Sequence, residues 1–315
     1  MFHALEIERF RGFAKLSAED LGRVNLIVGK NNTGKTSLLE AITLLANPGL
    51  IQSLPGLFRA NAGFVDERFY RWLPKHDAAE AETVLSAQAQ RETRRVVLVK
   101  GEAGNPAWPM LESAWQGKEL ALWCSKDLRR LDVHAVSVQH RSPDALVDAF
   151  AESVRAPEDE RQMEALLNAV DPRIRSLRLD AVASKPFIVV DVGLRERIPL
   201  SQAGQGIYRL VAILSELLGN KPDICFIDEI ENGIHHSALP TVWNGIAEVA
   251  ARLDIQVFAT THSRECLIAA HEAFAARDPY DFRVIQLYRV GDAASGRTLD
   301  RRHIEAAIAG DIELR

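Results

Sequence analysis

Eight consecutive residues, Gly29-Lys30-Asn31-Asn32-Thr33-Gly34-Lys35-Thr36, match G-x-x-x-x-G-K-[ST] in full. Gly29 and Gly34 let the backbone bend so that successive N–H groups point inward, making a cradle for phosphate oxygens. Asn31, Asn32, Thr33 and Ser37 belong to the same cradle or its edge. A helix starting near Lys35 adds its positive N-terminal end, and the Lys35 ammonium reaches the outer phosphates. The Thr36 hydroxyl is placed to bind Mg²⁺.

Three further segments carry chemistry. In Ile224-Cys225-Phe226-Ile227-Asp228-Glu229 an apolar strand runs into two carboxylates, as in a Walker B motif. Asp228 would hold Mg²⁺ through its water shell and Glu229 would polarise the attacking water. Apolar runs ending in acids are common, so this reading leans on the phosphate loop. Leu200-Ser201-Gln202-Ala203-Gly204-Gln205-Gly206 precedes a helical pattern. It reads either as a second anion-binding pole, offered by Ser201 and Gly204 to a partner subunit's γ-phosphate, or as a glycine-rich turn with a serine N-cap. Thr260-Thr261-His262-Ser263 follows a strand pattern, where His262 can donate to the γ-phosphate and sense hydrolysis. His235 and His236, in the turn after Glu231-Asn232-Gly233, either flank the site or are solvated.

The elements that must position these groups can be read from periodicity. Leu5–Phe10 alternates like a half-buried strand, and Val24–Val28 is an apolar run feeding Gly29. Leu38, Leu39, Ile42 and Leu45 recur at helical spacing over Thr36–Ala46, which Pro48-Gly49 ends. Thr83–Ala87 and Arg95–Lys100 predict an antiparallel hairpin, Gly101–Trp115 an irregular stretch, and Pro143–Val170 helix. Strands are expected at Asp132–Val138, Arg175–Ala181, Pro186–Val192 and Ile255–Ala259, with helices from Ile207 to Gly219-Asn220 and over Trp243–Leu253. Strands alternating with helices in the last third imply a parallel sheet with ligands at its C-terminal edge.

Composition sets the outer bounds. Hydrophobic residues at 47% and charged residues at 26% are ordinary for a globular chain, which excludes disordered and fibrous classes. No apolar stretch reaches the length of a bilayer span, and the start lacks a basic segment followed by an apolar one, so a cytoplasmic, membrane-free protein is expected. The net charge of −5 excludes an overall polycation. Cys124, Cys225 and Cys266 are far apart and odd in number, which fits reduced, buried thiols. Arg173/Arg175/Arg178, Arg129-Arg130 and Arg301-Arg302 are the basic clusters. DNA as a ligand and a solvated face are both open at each.

Taken together, the four segments resemble the ABC-type ATPase heads shared by SMC, RecF-type and OLD-family proteins, in particular the AAA_15/AAA_21 group of bacterial ATPases. Leu5–Phe13 is similar to that group's first strand and Val24–Leu39 to its Walker A segment. Asp228–His235 is similar to its extended Walker B and Gln256–Ser263 to its switch strand. The resemblance covers 1–45 and 198–270 well and the middle loosely. It implies an α/β P-loop NTPase of ABC-ATPase type, with a mostly parallel central sheet, an antiparallel β subdomain and a helical insertion. The expected organisation is one domain over 1–315: a nucleotide-binding core at 1–48 and 195–290, an inserted β/helical lobe at 49–194, and a tail at 291–315.

The resemblance further implies Mg²⁺-dependent ATP hydrolysis in a head-to-head homodimer, with Lys35 and Thr36 serving in cis and Ser201 with Gly204 in trans. It places Arg11 at the nucleotide and makes Gln139 the Q-loop residue. Bacterial ATPases of this kind accompany nucleases or other effectors in phage defence, so a motor or sensor subunit with a separate effector protein is the expected role. The alternative is a nucleotide-gated scaffold that holds or releases a partner with little turnover. Ser201-Gln202-Ala203-Gly204-Gln205 departs from the L-S-G-G-Q of transporters, and no coiled-coil arms or Toprim acids are apparent.

Overall fold

The computed structural model describes residues 1–58, 68–75, 82–90, 92–100, 111–117, 120–137 and 143–312. In chain order the elements begin with strands β1 (Phe2–Phe10), β2 (Phe13–Ala18) and β3 (Val24–Val28), then helix α1 (Lys35–Ala46) and the short helices α2 (Leu54–Phe58) and α3 (Arg68–Arg71). Strands β4 (Thr83–Ala89), β5 (Thr93–Lys100), β6 (Leu111–Gln116), β7 (Leu120–Ser125) and β8 (Val133–Val136) follow, then helices α4 (Pro143–Ser153) and α5 (Pro157–Val170). Next come β9 (Ser176–Val182), β10 (Lys185–Asp191), β11 (Ile198–Pro199), α6 (Gln205–Ser215), β12 (Ile224–Ile227), α7 (Leu239–Leu253), β13 (Gln256–Thr261) and α8 (Arg264–Ala275). The chain closes with β14 (Phe282–Val290), β15 (Ala293–Leu299) and α9 (Arg301–Ala309). Two compact units result: Met1–Val133 with Phe282–Arg315, and His134–Asp281.

The first unit is built on a mixed sheet in the order β6-β7-β5-β4-β1-β2-β15-β14-β3. Its pairs are antiparallel except β14 with β3 and β15 with β2, which are parallel. All five residues of β3 are buried, as an apolar run covered on both faces should be. The α1 face carrying Leu38, Leu39, Ile42 and Leu45 is buried as its periodicity predicts. Arg94, on β5 and fully buried, donates to the carbonyls of Leu45 (2.7 Å) and Ala46 (2.8 Å). These are acceptors that the end of a helix leaves without intrahelical partners, so one guanidinium stitches α1 to the antiparallel sheet. Burial pulls the Arg94 guanidinium down in pKa, against Glu92, which supports its charge.

In the second unit β12 and β13 pair in parallel, with Ile227 opposite Ala259, and β8 neighbours β12. The three-stranded antiparallel sheet β11-β10-β9 stands apart from them. Asp159 on α5 is buried and bonds Lys221 (2.9 Å) and Arg252 (2.5 Å). Burial raises its pKa, but the two hydrogen bonds win and hold the carboxyl below its ordinary range. Among the described residues no helix is long and apolar enough to cross a membrane.

Three expectations need correction. Leu111–Trp115, expected to be irregular, belongs to strand β6, which pairs with β7 through a register shift between Ser113 and Trp115, and the bulge breaks the alternation that would have marked it. Gly101–Met110 lies outside the described residues. α7 begins four residues before Trp243, at Leu239, with Pro240 in its first turn, where proline favours a helix. Pro143–Val170 is two helices, split at 154–156.

Candidate functional site

The phosphate loop leaves the buried end of β3 and enters α1 through Gly34, at φ +100°. A Cβ there would lie 2.8 Å from the Phe13 ring, so conformation and space both require glycine. Asn32 is also left-handed, at φ 62°. The loop holds itself: Thr33 Oγ1 donates to the Lys30 carbonyl at 2.8 Å, and Lys35 Nζ to the carbonyls of Gly29 (2.7 Å) and Lys30 (3.0 Å). A nine-tenths buried ammonium gathered against two loop carbonyls, at a helix N-terminus, is a donor set suited to a triphosphate. Thr36 and Ser37 lie in the first turn of α1, and Asn31 beside Asn32 in the loop. From β14, Arg289 donates to the Asn32 carbonyl at 3.3 Å.

Arg11 lies at the β1–β2 turn. Its Nε and Nη2 donate to the two carboxylate oxygens of Glu40 on α1, at 2.9 and 3.1 Å, and the guanidinium sits 4.8 Å over the Phe69 ring. Glu40 is fully buried. Arg11 is thereby tied to the second turn of the phosphate-loop helix.

In the second unit, Asp228 and Glu229 follow β12 directly, with Asp228 N–H donating to the Val136 carbonyl of β8 at 2.9 Å. Thr260 on β13 donates its hydroxyl to Asp228 Oδ1 (2.6 Å) and accepts the Glu229 N–H (2.8 Å). Glu229 is left-handed, φ 46°, a conformation that costs a non-glycine residue about 1–2 kcal/mol. Its side chain is exposed enough to meet water, and Oε1 lies 3.6 Å from His262 Nε2. The His262 N–H donates to Glu231 Oε1 at 2.7 Å. Ser263, immediately after it, N-caps α8 by accepting the Cys266 N–H.

Ser201 stands in a short 3-10 turn and Gly204 leads into α6; both are exposed. A Cβ on Gly206 would meet the Gly233 carbonyl at 2.5 Å, so the first turn of α6 sits directly against the turn that follows Glu231. Beside Ser201 and Gly204 opens a cavity of about 410 Å³, also lined by Tyr208, Arg209 and Glu216. Arg209, on α6 and largely buried, donates to the carbonyls of Val136, Ser137 and Asp228. Burial lowers its pKa, opposed by the nearby carboxylates of Asp228, Glu229 and Glu231. The same α6 therefore presents Ser201's loop and grips the backbone of Asp228.

The remaining candidates divide. Gln139 lies outside the described residues. His235 caps the turn before α7 and its ring packs 4.2 Å from that of His236. In the basic clusters Arg173 pairs with Asp171, Arg178 with Glu160 and Glu164, and Arg301 with Glu305, so much of their charge is met within the chain. Thr260, Glu231 and Arg209 were not singled out from the sequence. The signal available for Thr260 was a hydroxyl directly after the apolar run Val257–Ala259, which must find partners when buried.

Comparisons with known proteins bear on the family and the fold. The AAA_21 profile, described as "AAA domain, putative AbiEii toxin, Type IV TA system", matches residues 89–267, and AAA_15, "AAA ATPase domain", matches residues 1–88. A protein of Helicobacter pylori named "ATP/GTP phosphatase" is 29% identical over 122 residues, 38% of this chain and 32% of that protein. The RecF DNA replication and repair protein of Clostridioides difficile is 46% identical over 43 residues, 14% of this chain and 12% of RecF. The chain thus spans about a third or less of the length of these relatives. Among solved structures, an SMC head bound to the C-terminal winged-helix domain of ScpA superposes with TM-score 0.61 at 13% identity, covering 98% of this chain and 99% of that one. The SMC head domain of Thermotoga maritima superposes at 0.54 and 13% identity, over 95% and 99%. Matched over more than half of its length, the chain belongs to the AAA_21 family and has the fold of an ABC-type ATPase head.

Proposed function

We propose that the chain binds ATP with Mg²⁺ and hydrolyses it as a head-to-head homodimer, in the cytoplasm, as the motor or sensor subunit of a bacterial DNA-related or phage-defence system with a separate effector. The observation that carries the nucleotide reading is the phosphate loop, with the buried Lys35 ammonium gathered against the carbonyls of Gly29 and Lys30. On this reading Lys35 exchanges those carbonyls for phosphate oxygens and neutralises charge that develops on the γ-phosphate. Thr36 and Asp228 would hold Mg²⁺, which when bound supplies further charge neutralisation. Glu229, exposed at the strand end, aligns and polarises the attacking water, and His262 donates to the γ-phosphate. The turnover expected here is in line with the name of the Helicobacter pylori relative. Ser201 and Gly204, exposed ahead of α6, serve the nucleotide of the partner copy.

Multiple-turnover ATP hydrolysis tests this. The parental chain should turn over, and Lys35→Ala should lose at least roughly 10²–10³ in rate, the typical cost of removing one preorganised electrostatic donor. Tight ATP binding without turnover in the parental chain would instead favour a nucleotide-gated scaffold.

A further inference from the structure

Past the last paired residues of β12 and β13, each strand's continuation uses a side chain to hold the other's backbone. Thr260 is fully buried, and a hydroxyl has one proton and two lone pairs, so its bonding is directional. The proton goes to Asp228 Oδ1 at 2.6 Å, leaving a lone pair for the Glu229 N–H at 2.8 Å. In return Glu231, two residues beyond Glu229, accepts the His262 N–H at 2.7 Å. Its second oxygen is buried with no hydrogen-bond partner among the described residues. A backbone bond, Ile230 N–H to the Thr260 carbonyl at 3.1 Å, runs between the two side-chain bonds. The groups so fixed are the left-handed Glu229 and His262, whose side chains approach to 3.6 Å.

We propose that Thr260 and Glu231 are a reciprocal brace that sets the aim and separation of Glu229 and His262, and so act as positioning residues for nucleotide hydrolysis. The proposal rests on the ATPase reading above. The bond from Thr260 to Oδ1 orients the Asp228 carboxylate, the group that would help to hold a divalent cation. With its N–H pinned, Glu229 keeps one backbone geometry, and its carboxylate sweeps a limited volume. Nothing in the brace touches phosphate, so its loss should act on the rate of the chemical step and leave nucleotide affinity in place.

The test uses the full-length chain and four variants: Thr260→Val, close in shape but without the hydroxyl; Thr260→Ser, which restores it; Glu231→Ala; and Glu231→Gln, which keeps a carbonyl acceptor for the His262 N–H. kcat and KM for ATP are measured with calorimetric ATP binding and Tm. The expected result is a fall in kcat of roughly 10–100-fold for Thr260→Val and Glu231→Ala, the scale of a misplacement near 1 Å. KM and affinity should stay within about threefold of the parent, and Thr260→Ser and Glu231→Gln should recover most of the rate. A Thr260→Val protein that binds ATP and keeps the parental kcat overturns the brace. So does a rate loss that tracks Tm and is not recovered by serine. If Thr260→Val does not fold, the Glu231→Ala and Glu231→Gln pair decides: equal rates refute the proposal, and a tenfold gap supports it. A parental chain without turnover defeats the ATPase reading itself, an outcome distinct from an active parent whose variants are equally active.

Discussion

The phosphate loop and the acid-and-histidine cluster are held in place by opposite means. In the loop the restraints are mainly local: Lys35 bonds Gly29 and Lys30, Thr33 bonds Lys30, and Gly34 supplies the turn into α1, while Arg289 reaches Asn32 from β14. In the cluster the bonds that join its parts reach far in sequence: Thr260 reaches Asp228 and Glu229, Glu231 reaches His262, and Arg209 reaches Asp228. The loop can form wherever a strand delivers it to a helix. The cluster exists only once β12 and β13 are paired in register. A contiguous motif thus carries its own geometry, whereas residues contributed by separate strands need braces that no short pattern encodes.

The largest effect that would sharpen this contrast is expected at Glu229. Glu229→Gln keeps the backbone and its bond to Thr260 while removing the base, so hydrolysis should fall roughly 10²–10³-fold with ATP affinity retained. A parental rate would show that the water is aligned elsewhere. In the loop, Gly34→Ala forces a Cβ towards the Phe13 ring at a left-handed residue, and should destabilise the fold by about 1–3 kcal/mol and weaken ATP binding. Denaturant unfolding and calorimetry read both, and an unchanged affinity would mean the loop is less self-determined than described.

Away from both regions, Asp159→Asn should cost about 1–3 kcal/mol by removing the carboxylate that Lys221 and Arg252 share. The sign with pH follows from its lowered pKa. The unfolded carboxyl titrates near its ordinary 3.8, so the stabilisation is full above that value and is lost as pH falls through the lower folded pKa. Parental stability should therefore drop more steeply than that of the asparagine variant as pH falls below 3.8, measured by urea unfolding at each pH. Parallel curves would remove Asp159 from the account.

The same contrast governs what could be read from residues alone. Val24–Val28, the loop and α1 were legible because an apolar run, two glycines and a helical repeat are all local signals, and the β4–β5 hairpin was legible by its alternation. β6 was not, because its bulge between Ser113 and Trp115 interrupts the alternation amid glycine, proline and tryptophan. The first turn of α7 was hidden by Pro240, which reads as a breaker but is well suited to the first turn of a helix. Asp228, Glu229 and His262 were picked out as chemical types, yet nothing in Gln256–Ser263 announces that Thr260 fixes two of its neighbour's residues. Arg11, expected at the nucleotide by resemblance, is bonded to Glu40, a partner 29 residues away that periodicity could not supply.

The central claim is that a triphosphate is bound by two facing copies of this chain. Light scattering of the Glu229→Gln variant during chromatography, with and without saturating Mg-ATP, tests it most directly. The account predicts a mass near the 34.9 kDa of one chain without nucleotide and twice that with it. A mass that stays at one chain while calorimetry shows ATP bound would contradict it.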